Sequence, residues 1–252
     1  MKLKILILDF ETSPAKGYFF GRVWETNIIE VIEYEQILSV AWKWHGEKSV
    51  HVMGQDDFKG YKPGKLNDKE LIKFFAPIID SADIVVAHNG DKFDLTVFNT
   101  RLLHHGFDPV ADCRSFDTKK LAKNKFHFPS NKLDDIADFL EIGRKVAHTG
   151  KNMWLGCEKG VKEDWRLMKK YNKQDVVLED KVVEKLIPFM KQVNDYVENI
   201  NGGITCPNPL CKSIHLTKHQ KKIIKGGFWR QKYQCQECGA YYTDSSKKYK
   251  IV

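Results

Sequence analysis

Apolar and mixed stretches alternate along this chain, and their spacing predicts most of its elements. Residues 3–9 (LKILILD) form a dense apolar run that predicts a central strand buried on both faces. Residues 37–44 (ILSVAWKW) and 49–53 (SVHVM) predict two more strands, and 83–89 (DIVVAHN) another buried one. Between the first strand and residue 37 the pattern is irregular and rich in Tyr, Phe and Glu. Helical spacing occurs at 67–80, where Leu71, Phe74, Phe75 and Ile78 share a face behind a cap at Asn67 or Asp68. Further helices are expected at 94–105, closed by Gly106, and at 132–141, closed by Gly143. A long helical pattern runs from Glu163 to about Val197, with Pro188 as a kink or break. A short strand is expected at Arg114–Asp117, and the glycine-punctuated stretch 145–162 reads as a loop. Strands followed by strands alternating with helices predict an α/β sheet with helices on its faces.

Composition is ordinary for a globular protein, at 42% hydrophobic and 12% aromatic residues in 252. The apolar run near the N-terminus stops at Asp9, too short for a signal core or a membrane span. A soluble, cytoplasmic protein without a membrane partner is therefore expected. Charge changes the picture more. The net charge is +8, and residues 205–252 hold ten Lys or Arg against two acids, leaving 31 of each sign before them. A basic excess this concentrated points to a polyanion partner. The uncharged segment 199–204 (NINGGI) reads as a linker between a domain at 1–198 and a smaller one at 205–252.

Four of the six cysteines fall in that basic segment, as Cys206-x4-Cys211 and Cys235-x2-Cys238. Two such knuckles fit a four-cysteine zinc ribbon holding one structural Zn2+. A set drawn from Cys206, Cys211, His215 and His219 is disfavoured, because Cys211 and His215 are too close for a finger's strand and helix. Cys113 and Cys157 read as inert buried thiols, and His104 and His105 as partners of a helix C-terminal dipole. Residues 212–225 are read equally as hairpin, loop or disorder. Within 228–242, Trp229, Arg230, Lys232 and Tyr233 interleave rings and cations in a way that suits a single strand of nucleic acid.

Chemistry gathers in three separated segments. Asp9 and Glu11 end the first strand at i and i+2, so their carboxylates project from one face while Phe10 faces the other. The segment HNGDKFD (88–94) follows a buried strand and sets Asp94 at a helix start. In YNKQD (171–175), Tyr171 and Asp175 lie one turn apart on a helix. Each segment alone has an ordinary reading as a strand end, an N-cap and turn, or a surface pair. Asp91, Asp117, Asp164, Glu179 and Asp180 are taken as surface or capping residues.

Taken in order, Asp-x-Glu, Asn-x-x-x-Phe-Asp and Tyr-x-x-x-Asp resemble the three motifs of the DEDD, proofreading-type 3′–5′ exonucleases, in the branch written DEDDy. The resemblance spans about residues 3–190 and includes SNKLDDIADFLEIG (130–143), similar to the helix before the third motif. It implies an RNase H-like fold, a mixed five-stranded sheet with flanking helices, and two Mg2+ or Mn2+ ions. It assigns Asp9, Glu11 and Asp175 to one ion and Asp9 with Asp94 to the other. Tyr171 would orient the attacking water, and Asn89 and Phe93 would support the motif or touch the terminal nucleotide. Single-stranded DNA is the expected substrate ahead of RNA or duplex ends, with a polymerase as a conceivable partner. The rivals are a non-catalytic binding protein on the same scaffold, a proofreading subunit of a separate polymerase, and a transposase-like enzyme, which uses a late Glu and lacks the Asp-x-Glu pair.

Overall fold

In the computed structural model the elements run β1 (Ile5–Thr12), β2 (Lys16–Phe19), β3 (Ile28–Glu33), β4 (Ile37–Trp44), β5 (His51–Gly54), α1 (Lys69–Asp80), β6 (Ile84–Ala87), α2 (Asp94–His104), β7 (Arg114–Asp117), α3 (Thr118–Lys125), α4 (Leu133–Phe139), α5 (Lys151–Lys159) and α6 (Lys162–Leu186). Then follow β8 (Leu216–Ile224), β9 (Phe228–Cys235), β10 (Tyr241–Thr243) and β11 (Tyr249–Lys250). The structure describes every residue except 1–3, 22–26, 112, 190–203, 209, 212, 227, 245–248 and 251–252. Apart from Ile204, the expected linker at 199–204 lies outside the described residues. The chain divides into two compact units, Met1–Val182 and Val183–Val252.

The first unit is built on the expected five-stranded mixed sheet, in the order β5-β4-β1-β6-β7. β1 lies at its centre, antiparallel to β4 and parallel to β6. Its alternation sorts the two faces. Leu6, Leu8 and Phe10 pack with Leu71, Phe75 and Phe98 of α1 and α2, where Phe10 stacks on Phe98 at 5.7 Å and meets Phe75 edge-on at 5.5 Å. In a second cluster, Leu38 meets Met153 and Cys157 of α5 and Trp165, Met168 and Tyr171 of α6. Asp9 and Glu11, out of phase with Phe10, therefore project on the face opposite the phenylalanine cluster.

Two local expectations need correcting. The irregular stretch after β1 contains a two-stranded antiparallel hairpin, β2–β3, whose apolar residues are largely exposed and so show no period-2 burial signal. The expected loop at 145–162 contains α5, a helix of nine residues. Its glycines are compatible with helix because Gly150 precedes it, Gly160 caps it at φ +83°, and Gly156 sits where α5 meets Asp164. The break expected at Pro188 is present, since α6 ends at Leu186 and a 3-10 turn follows at Ile187–Phe189, where Pro188 cannot donate to the helix; the remainder of the helical pattern to Val197 lies outside the described residues. Asp68 is the N-cap position of α1, yet it makes no cap hydrogen bond. Its buried carboxylate instead binds Arg101 through two 2.7 Å bonds, His105 at 2.6 Å and the Ile37 N–H at 2.9 Å. His105 thus has a carboxylate partner in addition to its place at the helix terminus.

In the second unit β8 and β9 form a hairpin, and β10 and β11 both pair with β9. Within the stretch 212–225, Leu216–Ile224 forms a strand of this hairpin. No helix among the described residues is long and apolar enough to cross a membrane.

Candidate active site

The ladder between β1 and β6 registers only over Ile5–Ile7, and beyond it the strands part. There the N–H of Phe10 donates to Asp94 Oδ1 at 2.9 Å. Asp94 is the first residue of α2, with Phe93 at the N-cap position, and its carboxylate accepts from the Phe10 N–H of β1 and from its own backbone N–H. Across the sheet, α6 brings Asp175 to β1, and ligand oxygens of Asp9, Glu11 and Asp175 all lie within 4.8 Å of one another. Asp94 stands outside that group but close enough to raise the Asp9 carboxyl. The structure thus gathers three of the four nominated acids and ties the fourth to the backbone between two of them. Tyr171, one turn before Asp175, is 7% exposed beside them.

Burial dominates the electrostatics. Desolvation, reinforced by the neighbouring carboxylates, holds Asp9 well above the usual carboxylate range. Burial and then Asp175 push Glu11 up to about 8, and burial pushes Asp94 up to about 7 against the Phe10 hydrogen bond. Asp175 is raised by burial, opposed by Lys145 and Tyr171. Acids this crowded repel one another unless a cation lies among them.

The chain supplies one such cation itself. Lys145 Nζ donates to Asp175 Oδ2 at 2.5 Å and to the Tyr171 hydroxyl at 3.0 Å, and lies 5.0 Å from the Tyr171 ring centre. Its backbone N–H is anchored on Asp134 Oδ1 at 2.7 Å. Burial works against the ammonium, but Asp175 and Tyr171 outweigh it and hold the lysine above its ordinary range. Two further donors steady the acids: Trp154 Nε1–H to Glu11 Oε2 at 3.1 Å, and Asn172 Nδ2–H to Asp9 Oδ2 at 2.6 Å. The rings of His148 and Trp154 pack edge-on against Tyr171 at 4.9 and 6.0 Å.

Sequence reasoning missed Lys145, Trp154 and Asn172. Asn172 adjoins Tyr171, and only α6 geometry shows that it points at Asp9. Lys145 and Trp154 sit in the stretch read as a loop, with no spacing signal of their own. Two acids read as surface residues are buried instead. Asp180 pairs with Lys43 at 2.5 Å and His45 at 3.2 Å, and Glu179 lies 1% exposed against the Thr118 hydroxyl at 2.7 Å. Asp117 does cap α3, accepting from Lys120 N at 3.0 Å, and also accepts from Asn89 N at 3.1 Å. Asn89 takes a positive φ of 76° and its carbonyl receives the N–H groups of Lys92 and Phe93, so it shapes the turn before α2. Phe93 packs against the core, and Asn89 lines the cleft.

The donor set suits a hard divalent cation. It consists of carboxylate oxygens, and Asp175 Oδ1 is buried without a hydrogen-bond partner, an arrangement costly unless something charged meets it. The model of the RNase H superfamily matches residues 48–187, which include Asp94, Tyr171 and Asp175 and begin after β1. The chain belongs to the RNase H superfamily. No curated protein matches it. Among solved structures, the family B DNA polymerase from the hyperthermophilic archaeon Pyrobaculum calidifontis is similar, with a TM-score of 0.57 and 16% identity over 75% of this chain and 25% of the polymerase. The chain therefore spans about a quarter of that polymerase's length, and at this identity the likeness is one of fold.

This RNase H superfamily member carries its second donor set beyond residue 204. Sγ atoms of Cys206, Cys211, Cys235 and Cys238 lie within 4.8 Å of one another, with Cys206–Cys238 and Cys211–Cys235 each at 3.7 Å. These separations exclude disulfides, which need about 2.05 Å. They match the edge of a tetrahedron with metal–sulfur bonds of about 2.3 Å, which is about 3.8 Å. Mutual hydrogen bonding within the cluster lowers Cys238 and raises Cys206 and Cys211. His215 pairs with Glu237 at 2.8 Å and His219 packs on Tyr241, so neither joins the cysteines. Cys157 is fully buried and its thiol is pushed up to about 12 by burial, as an inert residue should be. The four nucleic-acid contacts nominated on β9 divide between its two faces, Trp229 and Tyr233 on one and Arg230 and Lys232 on the other. Both rings are already engaged, Trp229 stacked on Tyr249 at 4.4 Å and Tyr233 on Tyr242 at 5.4 Å.

Proposed function

We propose that the chain is a 3′–5′ exonuclease of the DEDDy branch, hydrolysing phosphodiester bonds of single-stranded nucleic acid to nucleoside 5′-monophosphates, with DNA ahead of RNA. The observation that carries this reading is the convergence of Asp9, Glu11 and Asp175 within 4.8 Å, beside a buried Asp94 and Tyr171. Membership of the RNase H superfamily supports a nuclease, and the fold shared with a DNA polymerase favours DNA.

Two Mg2+ or Mn2+ ions, held by Asp9, Glu11 and Asp175 and by Asp9 with Asp94, would supply an activated water and neutralise the departing 3′ oxygen. The chain's own residues do the rest. Trp154 and Asn172 fix the Glu11 and Asp9 carboxylates in one orientation. Tyr171 keeps its proton, because burial and Asp175 hold its hydroxyl above the ordinary phenol range. Its role is accordingly to orient the attacking water by a hydrogen bond rather than to act as the base. Lys145 faces both Tyr171 and Asp175 at the mouth of the cleft, where its ammonium can meet a phosphate oxygen. In the second unit, the four cysteines would hold one Zn2+ and fix β8–β9 as a basic hairpin that helps to retain the strand.

The test is degradation of 5′-labelled and 3′-labelled DNA and RNA with Mn2+ by wild type and Asp9→Ala. A ladder growing from the 3′ end, absent in the variant, is expected. Internal cuts, or no hydrolysis by wild type, would overturn the reading.

A further inference from the structure

Charge in the first unit balances overall, which conceals a local excess. Between Thr118 and Leu133 there are five lysines, at 119, 120, 123, 125 and 132, and no Asp or Glu. The fold brings two of the five, Lys119 and Lys132, to the candidate active site. Thr118 and Ala122 bury one face of α3, leaving Lys119 and Lys123, one turn apart, on a shared flank. Lys119, Lys132 and Lys145 line the same cleft of about 500 Å3 as Asp9 and Tyr171. Lys120 leans away toward Asp91 at 3.4 Å. Phe126 and Phe128, just after α3, and Phe139 at the end of α4 form a run of ring contacts at 5.2 and 5.4 Å, and Phe139 is 59% exposed at its end. Of the three acids of α4, Asp134 and Asp138 are held by Arg144 at 3.5 and 2.7 Å, which lessens their repulsion of a polyanion.

A pocket of carboxylates repels a phosphodiester chain, so an approaching strand must be gripped by cations beside it. Lysines ranked along a helix flank and a half-buried ring cluster ending in the exposed Phe139 supply the two halves of a sequence-tolerant single-strand groove. We infer that residues 119–132, with Phe139, form a track that holds single-stranded nucleic acid just upstream of the bond being cut. Lys119, Lys123 and Lys132 grip phosphates, and the Phe128–Phe139 edge receives an unstacked base. The assignment of this strand to the cleft rests on the exonuclease reading, and it places a grip in the first unit that does not depend on the basic second unit.

The experiment uses the full chain and a fluorescein-labelled thymidine oligonucleotide of roughly 12 nucleotides, within the site size of such grooves. Binding is read by anisotropy without added divalent cation, across a salt series. Lys119→Glu with Lys123→Glu should weaken binding about tenfold and flatten the salt slope by about 1.4, two phosphate contacts' worth. Lys48→Glu with Lys73→Glu makes the same change in net charge on exposed residues elsewhere and should leave the affinity within about twofold of wild type. An oligonucleotide with 5-iodouracil near its 3′ end should photo-crosslink to Phe128 or Phe139, and Phe139→Ala should remove much of that product. Equal weakening by both lysine pairs overturns the track, as do crosslinks confined to residues 216–235 with affinity unchanged. Neither readout needs hydrolysis. A protein that binds here yet cuts no 3′ end would retire the exonuclease reading and leave the track standing.

Discussion

Glu179 lies one turn beyond Asp175 and shows how burial alone can write a pH dependence. Its Oε2 is buried without a hydrogen-bond partner, and its Oε1 is 2.7 Å from the Thr118 hydroxyl, which is also 2.9 Å from His88 Nδ1. Desolvation pushes the acid up to about 8 and the histidine down to about 4, which opposes charging of the His88–Glu179 pair, whose Nδ1 and Oε2 lie 3.8 Å apart. A carboxyl whose folded value exceeds its unfolded one favours the folded state below the unfolded value, and that contribution is lost as pH rises through the folded value. Glu179→Gln should therefore match wild type in stability near pH 4 and become progressively more stable than it up to about pH 8. Thermal melts across that range decide it, and a constant offset would refute the neutral carboxyl. Lys145 poses the converse case. Asp175 is 1% exposed and Lys145 27%, so Lys145→Met leaves a buried charge unmatched at a cost of about 3 kcal/mol. Without metal, that variant should melt lower than wild type, and Mn2+ should restore more of its stability than it adds to wild type. Equal Mn2+ shifts in the two proteins would deny that Lys145 stands in for a cation.

At the scale of elements, what is legible in the chain is what one segment specifies for itself. The runs at 37–44 and 83–89 announce buried strands because nearly every residue there meets a packed face, and β1 places Asp9 opposite Phe10 by alternation alone. The carboxylate trio and Tyr171 are equally readable, since each position within a motif follows from strand or helix period. Lys145, Trp154 and Glu179 are not, because their roles arise between elements far apart in sequence. α3 escapes the pattern because TKKLAKNK buries only Thr118 and Ala122 fully and shows almost no apolar stripe. α5 escapes it because glycine weighs against helix until one knows what it touches. At Gly156 a Cβ would overlap the carboxylate of Asp164, so the glycine lets α5 approach the first turn of α6. Gly156→Ala should destabilise the first unit by about 1–3 kcal/mol through overpacking, despite the better helix propensity of alanine. Adding Asp164→Ala should recover part of that loss. Denaturant melts of the two singles and the double give the coupling, and strict additivity would mean that this contact is not the cause.

For the whole molecule, two donor sets of opposite character divide the labour between the units. The first offers carboxylate oxygens, which suit Mg2+ or Mn2+, and the second thiolates, which suit zinc. Their dependence on metal should differ in kind. The first unit has an extensive apolar core running through β1, α1 and α2. Beyond residue 204, the fully buried apolar residues among those described are Cys206, Leu210, Cys235, Ala240 and Tyr242, too few to hold a sheet of four strands together unaided. Two of these five are themselves members of the cysteine set, so beyond residue 204 the cysteine site and the small core share residues. A nitrogen chelator that takes zinc and leaves magnesium should therefore release one equivalent of zinc per chain and melt β8–β11, while the cooperative transition of the first unit persists. Circular dichroism with a colorimetric zinc assay reads both at once. If the second unit keeps its strands after complete chelation, or if no zinc accompanies the purified chain, the four thiols hold the fold in some other way and the ribbon assignment fails.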